Sequence, residues 1–431
     1  MAGSELQQRI TFLSGVAIAI TMVVGSGVFG LPGLALEATD PVVALLGWAV
    51  VIALMPPLIH IFAYLGMRYP SSAGIARFAA MGLGEWSQSG FTLIACGALA
   101  VGMPAFFLVG GAYTADLLAL DPDRWRFAFA ILLACASTAL NLRGVENMGA
   151  VNKAVVVTVI VLTIGLVVFR LPALDAESTR LLDDLATAGA DISAGELWLA
   201  ATIVFWAFQG WENMSFGLEE FRNPRRTVPL VYWTSFVVVS AIYFLFAWIV
   251  SASAVGGLEV AGISGVSALL GDGAVRIALL VVLVFVLFTN ANAWVFGASR
   301  AFYAAARQGL LPGLMARVDS RGIPAASLFG CLAFYCLVIA GLEIAAIHEK
   351  YAFLLTTQGF ILLYGASVIA YLRDNRRPVA WLVSAVALVG WVFLVSGFSW
   401  LMIYPAVLFA WGVIADRRKA ARAGGVLDTA R

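Results

Sequence analysis

Long apolar segments recur along the whole chain, separated by short loops that carry most of the charged residues. An α-helix needs about 20 apolar residues to cross the hydrocarbon core of a bilayer. The pattern predicts twelve segments of this kind. Their predicted limits are 11–36, 42–66, 88–118, 127–142, 150–171, 196–218, 229–253, 274–303, 325–344, 351–372, 379–397 and 400–415. The chain is therefore predicted to be an all-α polytopic membrane protein.

The first and sixth segments are irregular in the middle, where a membrane helix is usually most regular. Residues 25–30 read GSGVFG, and each glycine there weakens a helix by up to about 1 kcal/mol relative to alanine. Residues 206–212 read WAFQGWE and place an amide and a carboxylate in an apolar segment. We interpret both stretches as helix breaks. For the glycines, close approach of a neighbouring helix is the alternative.

The spacing of the two breaks predicts an inverted repeat. The broken segments are five places apart in the order of spans, an odd number, so the two halves run through the membrane in opposite directions. Residues 1–172 would form the first repeat and residues 190–374 the second. Residues 378–416 would add two C-terminal helices, and 417–431 a cytoplasmic tail. The links 69–84 and 256–273 are both long and rich in small residues, as equivalent links would be.

The positions of the basic residues predict the orientation. If the N-terminus is inside, most of the 26 lysines and arginines fall on inner segments, and the alternation holds across all the loops. An even number of spans puts both termini on the same side. We therefore expect both termini in the cytoplasm.

The composition excludes several other classes of protein. With 62% hydrophobic residues, 12% charged residues and a mean hydropathy of +0.95, the chain is too apolar for a soluble fold. A formal charge of +1 gives no field that would attract nucleic acid. The four cysteines lie in apolar runs, the two histidines are far apart, and no phosphate-binding loop is present. We expect no metal, no cofactor and no nucleic-acid partner.

A broken membrane helix exposes backbone groups that suit a small zwitterion. The N–H groups that follow Gly25 lie at the positive end of a half-helix and favour a carboxylate. The carbonyls before each break favour an ammonium. A free α-amino acid carries both charges and is the natural ligand. The predicted donors are Ser26, Gly27 and Val28, and the predicted acceptors are Val23, Trp206 and Gln209. Gly25, at the break itself, is also predicted to contact the substrate.

Several motifs resemble the amino acid–polyamine–organocation (APC) superfamily of permeases, which share the inverted-repeat fold of the sodium-coupled leucine transporter. The motifs occur in the family's order and cover spans one to nine. They are GSGVF at 25–29, WAFQGWE at 206–212, EEFRNPRR at 219–226, SRAFY at 299–303, RQGLLP at 307–312 and GIP at 322–324.

The resemblance implies amino acid transport by alternating access. The sequence has no nucleophile–base pair or metal constellation, so we expect no enzymatic activity. It implies that the Ser26 and Gly27 amides bind the substrate carboxylate, while the carbonyls named above bind its ammonium. Trp206 would cover the substrate as an outer gate, and Trp294 would line the pocket for its side chain. For either tryptophan, ordinary packing is the alternative.

Glu212 is the acid that the sequence places inside the bundle, where burial of a charge is expensive. We expect it to couple gating to protons, and the alternative is a carboxylate that only holds the broken helix together. Glu219 and Glu220 lie near the inner mouth, where we expect solvation or pairing with Arg222 and Arg225.

The coupling ion stays open at this point. Proton-coupled relatives often carry a lysine midway along span five, but here that position is near Val159, and Lys153 falls at the inner helix end. Thr289 and Asn290 could supply oxygens to a cation site. Polar residues in a membrane helix more often bond to a neighbouring helix.

The pocket residues indicate neutral hydrophobic amino acids, because Trp206, Phe208, Trp294, Met103 and Phe106 offer an apolar, polarisable surface. The loops, with RYPSSAG at 68–74, resemble those of the bacterial exporters of methionine and branched-chain amino acids, which lie in the inner membrane. An importer or exchanger with another substrate or coupling ion is the alternative, and a passive channel or a membrane enzyme is a weaker one. The sequence leaves the preferred amino acid, the direction of transport and the oligomeric state open.

Overall fold

The computed structural model describes residues 6–188, 192–261, 269, 273–348 and 350–428. Within these ranges the regular structure is helical, apart from one isolated bridge between Ile10 and Phe221. The α-helices are α1 (Phe12–Val23), α2 (Ser26–Ala38), α3 (Pro41–Arg68), α4 (Gly74–Leu83), α5 (Gln88–Leu117), α6 (Pro122–Asn141), α7 (Val145–Ala188), α8 (Ala194–Phe205), α9 (Trp211–Met214), α10 (Pro224–Val255), α11 (Ala274–Arg307), α12 (Ala325–Ile344), α13 (Lys350–Asp374), α14 (Pro378–Val395) and α15 (Ile403–Asp428). Short 3-10 turns lie at Glu85–Ser87, Trp206–Phe208, Ser215–Glu220, Gly313–Ala316 and Trp400–Met402.

Nine helices of the described chain are long and apolar enough to cross a membrane, which confirms the predicted membrane class. They match the predicted spans except the first, fourth and sixth. The first and sixth are interrupted, as the glycines at 25–30 and the polar residues at 206–212 predict. The fourth is the 20-residue helix α6, whose first turn includes Asp123, Arg124 and Arg126 in the sequence. The predicted boundary at residue 190 and most of the 256–273 link lie outside the described residues.

Helix α7 is much longer than the predicted fifth span. It has 44 residues, or roughly 66 Å at about 1.5 Å per residue, and it continues through residue 172. Its apolar part leaves Val161 and Phe169 more than half exposed, as side chains that face lipid would be. Its polar end is tied to the bundle by Arg170, which lies 2.6 Å from the Glu177 carboxylate and donates to the Ser253 hydroxyl. These contacts stabilise the extension beyond the apolar segment.

Each helix that ends at a break packs on a helix from the other half of the chain. Helix α1 lies on α10, α8 lies on α3, and α3 and α10 pack extensively on each other. Helix α5 contacts α6, α11, α13 and α15. Behind the second break the rings of Trp48, Phe208 and Tyr243 pack together, with centroids 5.2–6.3 Å apart. The breaks are therefore held by rigid neighbours on several sides.

Candidate functional site

The first break separates α1 from α2. Helix α1 ends at Val23, Val24 is extended, and Gly25 has φ −136° and ψ −136° before α2 begins at Ser26. A Cβ atom on Gly25 would lie 2.8 Å from Cγ and 2.9 Å from Oδ1 of Asn290. Position 25 therefore requires glycine because the Asn290 amide occupies the space of a side chain.

The second break lies directly against the first. Helix α8 ends at Phe205, and a 3-10 turn leads to Gly210, whose φ of +130° suits glycine. A Cβ on Gly210 would lie 2.5 Å from the Met22 carbonyl oxygen, and a Cβ on Gly27 would lie 3.1 Å from Cα of Ala207. Both predicted interruptions are present, and the glycines let their backbones touch.

A cavity of about 150 Å³ lies between the two breaks. Both interrupted segments line it, together with residues of α5, α11 and α13. Most of the predicted binding residues are in its wall. These are Val23, Gly25, Gly27, Trp206, Gln209 and Trp294.

Four predicted residues are not in this set. Met103 and Phe208 are buried in the protein core and do not line this cavity. Ser26 and Val28 are in the first turn of α2, whose leading N–H groups have no intrahelical acceptor. Their side chains lie outside the described part of the chain, and only their backbone can be compared with the prediction.

The carbonyls at the breaks already receive hydrogen bonds from buried side chains. The Tyr243 hydroxyl lies 2.7 Å from the Val23 carbonyl oxygen and 2.9 Å from that of Ala207. Its single proton serves one of them at a time. The Trp294 indole N–H donates to the Met22 carbonyl over 2.8 Å. These donors fix the geometry of the unwound backbone.

Asn290 completes this set of donors. Its Nδ2 lies 2.7 Å from the Thr21 carbonyl oxygen and 3.0 Å from that of Met22. The sequence suggested that Asn290 could offer an oxygen to a cation, but its nitrogen faces these carbonyls. The other suggested ligand, Thr289, donates within its own helix to the carbonyls of Phe285 and Val286.

Aromatic rings form much of the cavity wall. Trp206 packs edge-on against Phe353, with ring centroids 4.5 Å apart. Phe106 stacks on Trp294 at 5.9 Å and meets Phe353 at 5.3 Å. Among the described residues that line the cavity, none is an acid, a lysine, an arginine or a histidine. The wall is therefore apolar and uncharged, apart from backbone groups and a few neutral polar side chains.

Sequence reasoning missed two aromatic residues of this wall, Phe353 and Tyr113, and the capping role of Tyr243. Aromatic residues are common in apolar spans, and only the packing of α5, α10 and α13 brings these three to the site. Phe106 was expected and is present.

Glu212 is fully buried directly after the second break. Its Oε2 accepts hydrogen bonds from the backbone N–H of Gly210, over 3.0 Å, and from the Tyr364 hydroxyl. Its Oε1 has no hydrogen-bond partner within the described chain. The carboxylate thus links the second break to α13 and keeps one oxygen available for a proton.

The protein is closely packed on the side of the breaks away from the cavity. All residues of 211–218 are buried. The N-terminal segment joins this region through Ile10, whose N–H donates to the Glu220 carbonyl over 2.8 Å and whose carbonyl accepts from the Arg222 N–H over 2.9 Å. This pairing connects the start of α1 to the turn after the second break.

A buried ion pair adds to this closely packed region and corrects one expectation. Glu220 is 2% exposed and is held by Arg300, with Nε to Oε1 at 2.6 Å and Nη2 to Oε2 at 3.2 Å. The guanidinium also lies 3.9 Å from the centre of the Phe296 ring. The expectation of solvation or pairing with nearby loop arginines is wrong for Glu220, because a buried carboxylate needs an equally buried partner.

Glu219 is less buried. Its carboxylate accepts from the backbone N–H of Ser72 over 3.0 Å and lies 3.4 Å from Nη1 of Arg307. It therefore connects the loop before α4 to the end of α11.

Comparison with known proteins identifies the family. The amino acid permease family model matches residues 10–415. The chain belongs to this APC family of amino acid permeases. An uncharacterized amino acid permease of Bacillus subtilis is 26% identical over 428 residues, which cover 96% of this chain and 97% of that protein.

Two further relatives have more specific names. The L-methionine/branched-chain amino acid exporter YjeH of Escherichia coli is 27% identical over 430 residues, covering 96% of this chain and 98% of that protein. The human b(0,+)-type amino acid transporter 1 is 26% identical over 402 residues, covering 87% of this chain and 79% of that protein. With its apolar helices, this permease is a multi-pass membrane protein of amino acid transport.

Proposed function

We propose that the protein is a secondary active transporter that moves neutral hydrophobic L-amino acids by alternating access. The observation that carries the proposal is the cavity between the two helix breaks, where backbone groups meet an aromatic wall. The first N–H groups of α2 would bind the carboxylate, and the acceptors at the end of α1 and near Gln209 would bind the ammonium.

The uncharged wall supports neutral side chains as substrates. A cationic or anionic side chain would be desolvated there without a counter-charge, which strongly disfavours its binding. A cavity of about 150 Å³ has the size of cavities that admit a benzene-sized apolar molecule. Trp206, Phe106 and Trp294 would contact an aliphatic or thioether side chain.

Alternating access is supported by the asymmetric packing around the breaks. The cavity lies on one side of them, whereas residues 211–218 and the Arg300–Glu220 pair fill the other. If both termini are cytoplasmic, the cavity lies on the outer side and the packed side is the inner gate. Helix α1 of the first half packs on α10 of the second, and α8 of the second half packs on α3 of the first. Two inverted repeats, 1–172 and 190–374, would produce this exchange.

Protons are our candidate for the coupling ion. Glu212 is buried, has one oxygen without a partner in the described chain, and is bonded to the second break. Protonation would change its bonds to Gly210 and Tyr364 and thereby favour one arrangement of the break over the other. The buried Val159 stands at the mid-span position where proton-coupled relatives often carry a lysine, and Lys153, six residues earlier, is exposed.

We infer that the protein exports amino acids across the inner membrane of a bacterium, by analogy with the relative named as a methionine and branched-chain amino acid exporter. Import or exchange by the same site is the alternative, and the chemistry of the site is compatible with export, import and exchange.

The experiment uses the purified protein in proteoliposomes and labelled L-methionine. We expect saturable uptake that is stimulated by unlabelled L-methionine or L-leucine inside the vesicles. L-Lysine and L-glutamate should compete poorly because the wall has no counter-charge. Uptake in vesicles with the opposite orientation, with and without a proton gradient, determines direction and coupling.

Two results would contradict the proposal. Flux that neither saturates nor responds to internal substrate would indicate a channel. Stronger competition by lysine or glutamate than by leucine would show that the cavity is not the selective element.

A further inference from the structure

The geometry points to Asn290 as a substrate-binding residue whose side-chain oxygen accepts a hydrogen bond from the substrate's ammonium group. This inference rests on the proposed function and adds a side-chain acceptor to a site that otherwise offers backbone carbonyls. The acceptor lies on α11, outside both broken helices.

The orientation of the Asn290 amide follows from its two carbonyl neighbours. Only the nitrogen can donate, and it has two hydrogens for the two carbonyl oxygens of Thr21 and Met22, at 2.7 and 3.0 Å. A flipped amide would place its oxygen against two carbonyl oxygens. The oxygen Oδ1 is therefore fixed on the opposite side of the group.

This oxygen is buried and has no hydrogen-bond partner within the described chain. Asn290 is 2% exposed, and a buried acceptor without a donor is unfavourable. Both amide hydrogens are already used, so the side chain cannot turn to relieve the unpaired oxygen without losing them. The site thus has a free acceptor that a ligand with N–H groups can satisfy.

The unpaired oxygen lies beside the first break, at the edge of the cavity. Asn290 is part of the cavity wall, and Oδ1 lies 2.9 Å from the position that a Cβ would occupy on Gly25. Because residue 25 has no side chain, the Asn290 amide packs directly against the backbone of the first break. A small cationic group at this point would also be near the carbonyls of Val23 and Ala207, which share one hydroxyl proton from Tyr243.

An ammonium fits this position better than a metal cation. The carbonyls of Thr21 and Met22, which close the end of α1 and would be natural cation ligands, face the Asn290 amide hydrogens. The acceptors that remain are Oδ1 of Asn290 and the carbonyls of Val23 and Ala207, which share one donor. An ammonium has three N–H donors for such acceptors.

The test compares two ligands that differ only in the ammonium: L-methionine and 4-(methylthio)butanoate. Binding of each ligand to the protein in detergent is measured by the rise in melting temperature with ligand concentration. In Asn290→Leu we expect the affinity for L-methionine to fall about 10- to 100-fold, as for loss of a hydrogen bond to a charged group. The affinity for 4-(methylthio)butanoate, measured by thermal shift, should change less than about threefold.

Thr289→Val is the matched control, because Thr289 is the buried neighbour of Asn290, its hydroxyl donates within its own helix, and the Asn290 oxygen stays in place. We expect it to change binding of the two ligands by similar factors. Melting temperatures show whether each variant folds. Asn290→Ser, which removes the amide oxygen by shortening the side chain and keeps a polar group, replaces Asn290→Leu if that variant does not fold.

The outcomes separate this inference from the proposed function. Equal losses for both ligands in the Asn290 variant, or no loss for either, would overturn the assignment while transport of neutral amino acids stands. A requirement of methionine binding for sodium that disappears in the variant would assign the oxygen to a metal ion and also overturn it. Failure of the unmodified protein to bind any neutral amino acid would refute the proposed function itself.

Discussion

Side chains of α10 and α11 satisfy the peptide groups that the breaks release. Tyr243, Asn290 and Trp294 each direct a donor at carbonyls near the end of α1 or in the second break. Such contacts are necessary because an unpaired peptide group inside a membrane protein is strongly unfavourable. The substrate then has to compete only for the groups that remain.

At the residue scale, Glu212 offers the clearest test of proton coupling. Glu212→Gln keeps an oxygen that can accept from the Gly210 N–H but removes the titratable proton. We expect transport by this variant to lose most of its dependence on pH, while its melting temperature stays close to that of the unmodified protein. Methionine exchange across proteoliposomes is measured from about pH 5 to 8, the range in which such gating carboxylates act.

Glu85→Gln is the matched control, because Glu85 is an exposed carboxylate in a surface pair with Arg77. Its pH profile should not change. If both variants keep the pH profile of the unmodified protein, Glu212 has the alternative, structural role of holding the broken helix together.

The sequence was informative at this scale where glycine was required. Gly25 and Gly27 predicted the first break, where a side chain would meet the Asn290 amide or Ala207. The amide and carboxylate of 206–212 predicted the second, where Gly210 lies against the Met22 carbonyl. Tyr243 and Asn290 could not be assigned in the same way. Their roles depend on which carbonyl they face, and that follows from helix packing rather than from local sequence.

At the element scale, contact between the two breaks determines the shape of the cavity. Gly27→Leu would introduce a side chain where even a Cβ lies 3.1 Å from Cα and Cβ of Ala207. We expect this variant to lose measurable binding of L-methionine in a thermal-shift assay, because the added side chain fills the space beside the first N–H groups of α2. The fall in affinity should be at least about 100-fold.

Gly165→Leu provides the control for the same substitution. A Cβ at Gly165 has no neighbour within 4 Å, and the residue lies in the part of α7 that exposes apolar side chains. Binding should be unchanged. Retained binding in Gly27→Leu would show that the cavity beside the first break does not hold the substrate.

The ion pair between α11 and the turn after the second break should matter for stability. Arg300→Met leaves Glu220 buried without its partner, and loss of one member of such a pair destabilises a protein by about 3–5 kcal/mol. We expect a clear fall in melting temperature, partly restored in the double variant Arg300→Met/Glu220→Leu. Arg77→Met, from an exposed pair, should have an effect of no more than about 1 kcal/mol.

A melting temperature of Arg300→Met as high as that of Arg77→Met would contradict the structural role of the buried pair.

The sequence did not reveal this pair, because its members are 80 positions apart. The length of α7 was missed for a related reason, since contacts with α10 stabilise its polar end.

At the scale of the whole molecule, hydropathy and charge predicted the membrane class and nine of the twelve spans as long helices. The order of the motifs predicted the family, which the match over residues 10–415 confirms. Local pattern could not predict which face of each helix lines the cavity. Met103 and Phe208 illustrate this limit, since both are apolar residues of the expected helices but are packed in the core.

A cryo-electron microscopy structure of the protein in lipid nanodiscs with L-methionine tests the site most directly. We expect the amino acid between residues 25–27 and 206–211, with its carboxylate about 3 Å from the Gly27 N–H and its ammonium at a similar distance from Oδ1 of Asn290. Continuous α-helix through either stretch, or methionine bound elsewhere with this cavity empty, would contradict it.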